Sequence, residues 1–445
     1  MSDALRLPVP DEAVQIARTL ERAGHEAWCV GGGVRDALLG HPGLDWDFAT
    51  SARPEEVRRL FRRTVPVGIE HGTIGVLDAR GTLHEVTTFR RDVHTDGRHA
   101  VVEFGASLDE DLARRDFTIN AIAYSPQRGE LRDPFGGRED LARGLVRAVG
   151  DPAERMREDR LRALRAIRFA ARFGFEIEPA TWRAIVQSAP HLGRLSPERV
   201  KQELEKTMEQ VAKPAAALRR WRDSGALAVL VPAMASVTDG QLAALDCLPR
   251  PVLPSRPQRR INRLALLFVG LTGRQAEAVA RELKFSKADG AWIAALADRW
   301  ATLGAPMREA LLAGEPTDGA LRAWAAAAGR TRLGPLLRLA SALWSAQRES
   351  GDPAPAASRV RSVYRRALRI AYRDPIEVGD LAIDGEDLMR LGIPPGPILG
   401  KILLALLARV IEDPSLNTRE KLTALALELY REMGGGATTL PESPR

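Results

Sequence analysis

Two aspartates separated by a single residue, Asp45-Trp46-Asp47, are the side chains whose types and spacing first suggest chemistry in this 445-residue sequence. On a strand, residues two apart face the same side, so both carboxylates would point together while Trp46 and Phe48 point into a core. Carboxylates aimed at one spot repel unless a cation lies between them. A pair of Mg²⁺ ions is the common solution, clamping the attacking and leaving oxygens of a phosphoryl transfer. Acidic pairs are also common on plain surfaces, so the pair needs context. Upstream, the apolar run Ala27–Val30 reads as a short buried strand, and Gly31-Gly32-Gly33 turns it into a helix near Val34–Leu39. Backbone N–H groups at such a turn can hold a triphosphate. No Lys-Ser or Lys-Thr follows, which excludes a Walker A loop, and Asp36 occupies the place of a dinucleotide fingerprint's third glycine.

Other elements must position these groups. Asp11–Ala23 reads as an amphipathic helix with Asp11 as cap and Gly24 as stop. Ile74–Leu77 and Leu83–Thr88 read as strands around an Asp78-Ala79-Arg80-Gly81 turn. Beyond about Asp151 the pattern is almost wholly helical, with proline-rich joints at Pro249–Pro257 and Asp352–Pro355 and a frayed end at Gly434–Arg445. The expectation is an α+β protein, a small α/β head followed by a long helical body. Its expected divisions are a head over 1–150, a helical neck over 151–210, a body over 211–350 and a tail over 351–445.

Composition narrows the class. With 45% hydrophobic and 28% charged residues, the chain is an ordinary globular one of several domains. Apolar runs such as Leu264–Leu271 are too short to span a bilayer, and the start shows no basic-then-apolar leader, so export is not expected. Cys29 and Cys247 exclude a disulfide framework and a four-cysteine zinc site, read as buried apolar fillers, and fit a reducing cytoplasm. A net charge of +7 favours a polyanionic partner, although an Arg- and Ala-rich composition alone gives the same excess.

A strand, a glycine turn and a D-x-D between hydrophobic residues together resemble the DNA polymerase β-like nucleotidyltransferase superfamily. That resemblance implies a third carboxylate on a neighbouring strand. Glu85, in His84-Glu85-Val86, is the candidate, and an exposed strand glutamate is the plain alternative. Further along stand Arg114-Arg115-Asp116-Phe117-Thr118-Ile119-Asn120-Ala121, Asp133-Pro134-Phe135-Gly136-Gly137, Glu158-Asp159-Arg160-Leu161-Arg162 and Ser196-Pro197-Glu198-Arg199-Val200, followed by Glu203-Leu204-Glu205-Lys206. With Gly31–Asp36 and Asp45–Asp47 they resemble, in order and over roughly residues 27–206, the class II tRNA nucleotidyltransferases, the CCA-adding and poly(A) polymerase family. The resemblance implies Asp45, Asp47 and Glu85 as catalytic carboxylates, with Asp45 and Asp47 holding two Mg²⁺ ions. It places Gly32 and Arg35 near the triphosphate, and Arg115 and Asp116 at the incoming nucleotide and its ribose. Asn120 would brace that loop, Asp159 and Arg162 would read the base, and Arg165 and Arg168 would add nucleotide contacts. Gly136 and Gly137 would form a hinge into the neck, or else an ordinary turn.

The base-reading residues also have a physical rationale. Arg157–Arg172 reads as one helix with Asp159 and Arg162 on one face and Leu161, Leu164 and Ile167 opposite. An Asp only accepts and an Arg only donates. Cytosine and adenine each show an amine beside an unprotonated ring nitrogen, matching such a pair; uracil and guanine reverse the pattern and leave buried groups unpaired. A surface salt bridge is the bland alternative.

The implied function is template-independent addition of C, C and A to the tRNA 3′ end from CTP and ATP, with release of pyrophosphate. Implied partners are the tRNA 3′ end and acceptor/T arm, with no membrane and no obligate protein partner. All 7 histidines fall at or before His191, so no His-Asp phosphohydrolase module is expected. Arg90–Ala100, with His94 and His99, resembles the family's flexible loop but is slightly shorter and lacks an aromatic residue near His94. CC-adding relatives lack most of that loop, so CC-only or A-only addition stays open, as does poly(A) synthesis. A non-catalytic RNA-binding protein on a decayed head is the other class, against which intact Asp45, Asp47, Asp159 and Arg162 stand. Basic stretches Arg256–Arg263 and Arg359–Arg369 read as solvated helix faces or an RNA path. In Leu391–Lys401, prolines and glycines end one element and open a helix that could meet a phosphate of the tRNA elbow.

Overall fold

A computed structural model of the chain describes residues 6–434 apart from 42, 44, 96–99 and 249–255. It divides into two compact units, Met1–Ala235 and Ser236–Arg445. The first unit carries all the strands found among the described residues: β1 (Ala27–Val30), β2 (Asp47–Thr50), β3 (Thr64–Gly68), β4 (Thr73–Leu77), β5 (Leu83–Thr88), β6 (Arg90–Thr95), β7 (Ala100–Phe104), β8 (Ala123–Ser125), β9 (Glu130–Arg132), β10 (Leu145–Val146) and β11 (Glu176–Ile177). Seven form one sheet in the order β3-β4-β5-β2-β1-β8-β9. Within it only β2 and β5 pair parallel. The uninterrupted apolar run of β1 is explained by its place inside the sheet, where all its residues are buried. One core cluster joins Trp28, Val30, Ala49, Phe89, Leu108 and Leu112.

Helix Asp11–Arg22 buries Ala13, Ile16, Ala17 and Leu20, the i, i+3, i+4, i+7 face expected of an amphipathic helix. Its cap is Pro10, not Asp11; Asp11 and Glu12 lie in the first turn, where their charge suits the helix dipole. β6 and β7 form a hairpin, so Arg90–Thr95 and Ala100 of the expected flexible loop are strand, while 96–99, with His99, lie outside the described residues. Gly136 and Gly137 open a helix: Asp133 accepts the N–H groups of Gly137 and Arg138 at 2.7 and 2.9 Å, and helix Gly137–Arg143 follows.

The expected single helix Arg157–Arg172 is broken. Helix Pro152–Glu158 ends at Asp159, whose backbone is extended, and helix Leu161–Phe173 begins after Arg160. The Asp159 carboxylate accepts the Leu161 N–H at 3.0 Å, a local bond that competes with helix continuation.

Every regular element of the second unit among the described residues is a helix. Helix Gly385–Arg390 is followed by helix Pro397–Glu412, which opens with Pro397 after Gly396, as the Leu391–Lys401 segment suggested. Ile383, Leu388, Ile402, Leu406, Val410 and Leu422 close a core there. The Arg256–Arg263 stretch is no simple solvated face, since Asn262 and Arg263 are buried. Cys29 is buried, but Cys247 is half-buried with its Sγ 3.5 Å from Glu349. Among the described residues no helix is long and apolar enough to cross a membrane.

Candidate active site

The carboxylate edge of the site is built by a close approach. Gly31 takes φ of +71°, a left-handed backbone that favours glycine, and the helix Gly32–Leu38 starts immediately after it. At Gly33 a Cβ would lie 2.9 Å from the Asp45 carbonyl oxygen and 3.2 Å from the Trp46 ring. Only a bare backbone lets this turn pack against the peptide that carries the aspartates. β2 begins at Asp47, so the strand does not include Asp45, which sits exposed in the segment leading to it. Trp46 and Phe48 are fully buried, as the alternation required.

Phe48 pairs with Val86 across β2 and β5, which sets Asp47 and Glu85 side by side, and the Asp47 carboxylate accepts the Glu85 backbone N–H. Burial, then the charges of Asp45 and Glu85, push Asp47 up to about 6, against a smaller opposing pull from Arg115. Among the described residues no three acidic, imidazole or thiol side chains converge tightly enough to form a complete metal cage. The donor chemistry fits Mg²⁺ nonetheless. That ion is usually held by one or two carboxylates and takes its remaining ligands from water and substrate phosphates. A cation here would also relieve the repulsion felt by Asp47.

His84 is a residue the sequence reading passed over. Buried in β5, it places Nδ1 2.9 Å from the Trp46 carbonyl oxygen and Nε2 3.3 Å from the Asp78 carboxylate. Asp78 is itself fixed by the N–H groups of Arg80 and Thr82, both at 2.8 Å. The β4–β5 turn thus clamps the peptide between the two aspartates. The period-two burial of His84, Val86 and Thr88 was the available signal.

Facing this edge is a cavity of about 550 Å³ in the first unit. Gly32, Arg35, Asp47, Glu85, Arg115, Asp116, Asp159, Arg162, Arg165 and Arg168 all line it; Asp45 alone of the candidate residues does not. Arginines outnumber carboxylates on its wall, which suits a polyphosphate. Most are already engaged. Asp116 accepts Arg165 at 2.6 and 2.8 Å, Asn120 at 2.9 Å and its neighbour's N–H at 2.9 Å. Burial alone would raise its carboxyl, but Arg165 and these hydrogen bonds prevail and hold it at about 2. Arg35 meets Asp36 at 2.6 Å and donates to Asn120 at 2.6 Å, so Asn120 does brace this loop. Arg168 pairs with buried Glu203 at 2.6 Å. Arg35, Arg165 and Arg168 surround the Phe169 ring at 5.1, 5.4 and 4.4 Å, an aromatic hub absent from the sequence argument. Arg115 bonds Asp111 at 3.1 Å and lies over Gly31.

Asp159 and Arg162 neither share a helix nor pair with each other. Asp159 is held by Arg199 at 2.8 and 3.0 Å, while Arg162 donates to Glu158 at 2.5 Å and to the carbonyls of Arg155 and Arg114 at 3.0 and 2.9 Å. Those bonds use three of the five N–H groups of the guanidinium, and two remain without a partner among the described residues. Arg199 lay within a quoted motif, yet only the fold shows what it holds.

Three family models match in succession: "Poly A polymerase head domain" over residues 27–147, "Probable RNA and SrmB- binding site of polymerase A" over 174–237, and tRNA nucleotidyltransferase domain 2 over 258–426. A CCA-adding enzyme of Limosilactobacillus fermentum is 37% identical over 95% of this chain and 97% of its own length. The chain belongs to the class II tRNA nucleotidyltransferase family. A second family member, the CCA-adding enzyme of Geobacillus kaustophilus, is 38% identical over 95% of this chain and 98% of its own. The solved Bacillus stearothermophilus CCA-adding enzyme in complex with CTP superposes with a TM-score of 0.74 at 33% identity, covering 96% of this chain and 99% of that one. A Thermotoga maritima CCA-adding enzyme complexed with tRNA shares the fold, with a TM-score of 0.66 at 23% identity over 94% of each chain.

Proposed function

We propose that this class II nucleotidyltransferase adds C, C and A to the 3′ end of tRNA from CTP and ATP, releasing pyrophosphate, in the cytoplasm. The observation that carries this reading is one cavity lined both by Asp47 and Glu85, beside Asp45, and by Asp159 and Arg162. Asp45 and Asp47, with Glu85 beside them, would hold Mg²⁺ ions, which when bound supply charge neutralisation at the phosphates and acidify the attacking hydroxyl. Arg115 and the backbone at Gly32 orient the triphosphate. Arg35 acts mainly through its bonds to Asp36 and Asn120, keeping the glycine turn against the helix Leu161–Phe173. Asp116 and Arg165, locked to each other, present a fixed polar wall to the sugar. Asp159 accepts the exocyclic amine of cytosine or adenine, and the remaining N–H groups of Arg162 meet the unprotonated ring nitrogen. Uracil and guanine would set a carbonyl against a carboxylate and an N–H against a guanidinium. The neck over 151–210 is assigned to base recognition, the body over 211–350 to RNA binding, and the tail over 351–445 to the tRNA elbow.

The test is extension of transcripts ending at the discriminator base, after one C and after two, with Mg²⁺, ATP and CTP. All three are expected to reach one product ending in CCA. Arrest at CC, extension of the third transcript alone, or long A tails would each overturn the reading in favour of a partial adder or a poly(A) polymerase.

A further inference from the structure

Asp45 and Trp46 lie beyond the ladders of the central sheet. Among the described residues, β1 and β2 pair from Val30 opposite Asp47, and β2 and β5 from Phe48 opposite Val86. The placement of Asp45 relative to Asp47 therefore depends on side-chain contacts to the residue between them. The Trp46 ring N–H donates to the Gly43 carbonyl at 3.0 Å, and the carbonyl of buried Trp46 faces Nδ1 of His84 at 2.9 Å. A carbonyl only accepts, so Nδ1 donates. The His84 ring is 1% exposed and meets the Phe48 ring edge-on, with centroids 6.1 Å apart. Behind it stands Asp78, held by the β4–β5 turn, and Arg80 of that turn pairs with Glu12 of helix Asp11–Arg22 at 2.6 Å. The next residue, Glu85, points the opposite way from β5 and lines the cavity. His84 thus reaches the aspartate segment from behind, as a strut seated in an anchored turn.

We propose that His84 is a positioning residue for nucleotidyl transfer: its bond to the Trp46 carbonyl sets the separation of the Asp45 and Asp47 carboxylates that hold a divalent cation. The inference rests on the metal-dependent reading above. Mg²⁺ demands near-ideal octahedral geometry with oxygens at about 2.0–2.1 Å, so two carboxylates serve it only at a narrow range of separations. Without the His84 bond, a buried carbonyl loses its partner, and the chain regains one only by turning the Trp46–Asp47 peptide. That turn displaces Asp45, which no strand pairing restrains, more than Asp47, which opens β2. The loss then falls on cation binding and the chemical step. Nucleotide binding is spared, because Arg115, Asp159 and Arg162 sit on other elements and are held by other partners.

The test measures Mn²⁺ binding to the full-length chain without nucleotide or RNA, from the loss of the free-ion electron paramagnetic resonance signal, beside the kinetics of tRNA extension with CTP. His84→Phe keeps a ring against Phe48 and removes the donor. Its Kd for Mn²⁺ is expected to rise about tenfold and its kcat to fall about 10- to 100-fold. KM for CTP should stay within about twofold of wild type. His84→Gln carries its amide where Nε2 stood, within reach of Asp78 but not of the Trp46 carbonyl, and is expected to match the Phe variant. His84→Asn carries its amide where Nδ1 stood and is expected to recover most of both losses. Wild-type Mn²⁺ affinity and kcat in a Phe variant with an unchanged circular dichroism spectrum overturn the inference, as do Gln and Asn variants that behave alike. A lowered melting temperature with wild-type affinity and kcat also overturns it, since that is the mark of a residue serving stability alone. Asp47 separates the two readings. Mn²⁺ binding that Asp47→Asn leaves intact defeats the metal reading, and this inference with it; binding that needs Asp47 and ignores His84 defeats only the positioning role.

Discussion

Asp47 and Asp116 line the same cavity, yet their surroundings treat them oppositely. Asp47 is crowded by the carboxylates of Asp45 and Glu85 and sits at about 6 after burial. Asp116 is gripped by Arg165 and Asn120, which overcome burial and hold it at about 2. One edge of the cavity is left electrostatically open, with too few cations of its own. The other is closed: Asp116 and Glu203 are matched to Arg165 and Arg168, both packed on Phe169. An open edge costs stability and is worth keeping only if something else supplies the positive charge. The closed edge is what holds the cavity in shape while that happens.

The comparison breaks most sharply at Asp47. Asp47→Asn keeps the shape and removes a repelled charge, so extension is expected to fall on the order of 10⁴-fold, about 5 kcal/mol of activation free energy, without loss of thermal stability. Added Mg²⁺ should raise the melting temperature of the wild-type chain and not that of the variant. Extension near the wild-type rate would sink the metal assignment. On the closed edge the prediction inverts. Glu203→Ala strands Arg168, which is 4% exposed, without its carboxylate, and urea melts are expected to show a loss of about 3–5 kcal/mol. A loss below about 1 kcal/mol would mean that this pair does not hold the edge together.

Asp116 sharpens the contrast through pH. Its carboxyl is depressed in the folded state, so its stabilisation is fully present above the unfolded value near 4 and is lost as pH falls toward about 2. Holding the carboxyl at about 2 rather than near 4 corresponds to about 2–3 kcal/mol. Asp116→Asn should therefore flatten the acid limb of a stability–pH curve by that amount. An unchanged limb would show that Arg165 does not depress Asp116 in solution.

How much of this was legible beforehand varies with the range of the cause. β1, β5 and the buried Trp46 and Phe48 were readable because short-range alternation and turn residues fix them. The carboxylate edge followed from motif spacing, since Asp45, Asp47 and Glu85 lie on neighbouring segments whose order the resemblance supplied. The closed edge was not readable. Arg199 meets Asp159 and Glu203 meets Arg168 across 40 and 35 residues of chain, contacts that only tertiary folding creates, and on the carboxylate edge the His84 clamp on the Trp46 carbonyl, across 38 residues, is of the same kind. The break at Asp159 was missed for a local reason. Helical spacing suggested a continuous face, whereas an aspartate able to bond the N–H two residues ahead competes with the helix.

That break makes the base-reading pair the place where open and closed edges meet. Asp159 is 30% exposed and held by Arg199, so it is both anchored and available. Asp159→Ala should leave metal-dependent extension in place but cut discrimination of CTP over UTP by about 10–100-fold, because the penalty for a misplaced carbonyl disappears. Arg199→Gln is the subtler variant. The carboxylate stays but loses its anchor and must be ordered by each incoming nucleotide, at a cost of about 0.5–1 kcal/mol. KM for CTP and ATP is then expected to rise about two- to fivefold, with kcat nearly unchanged and selectivity reduced by a similar factor. If Arg199→Gln instead erased selectivity as fully as Asp159→Ala, Arg199 itself would be reading the base, and the anchor would belong to the open edge of the site.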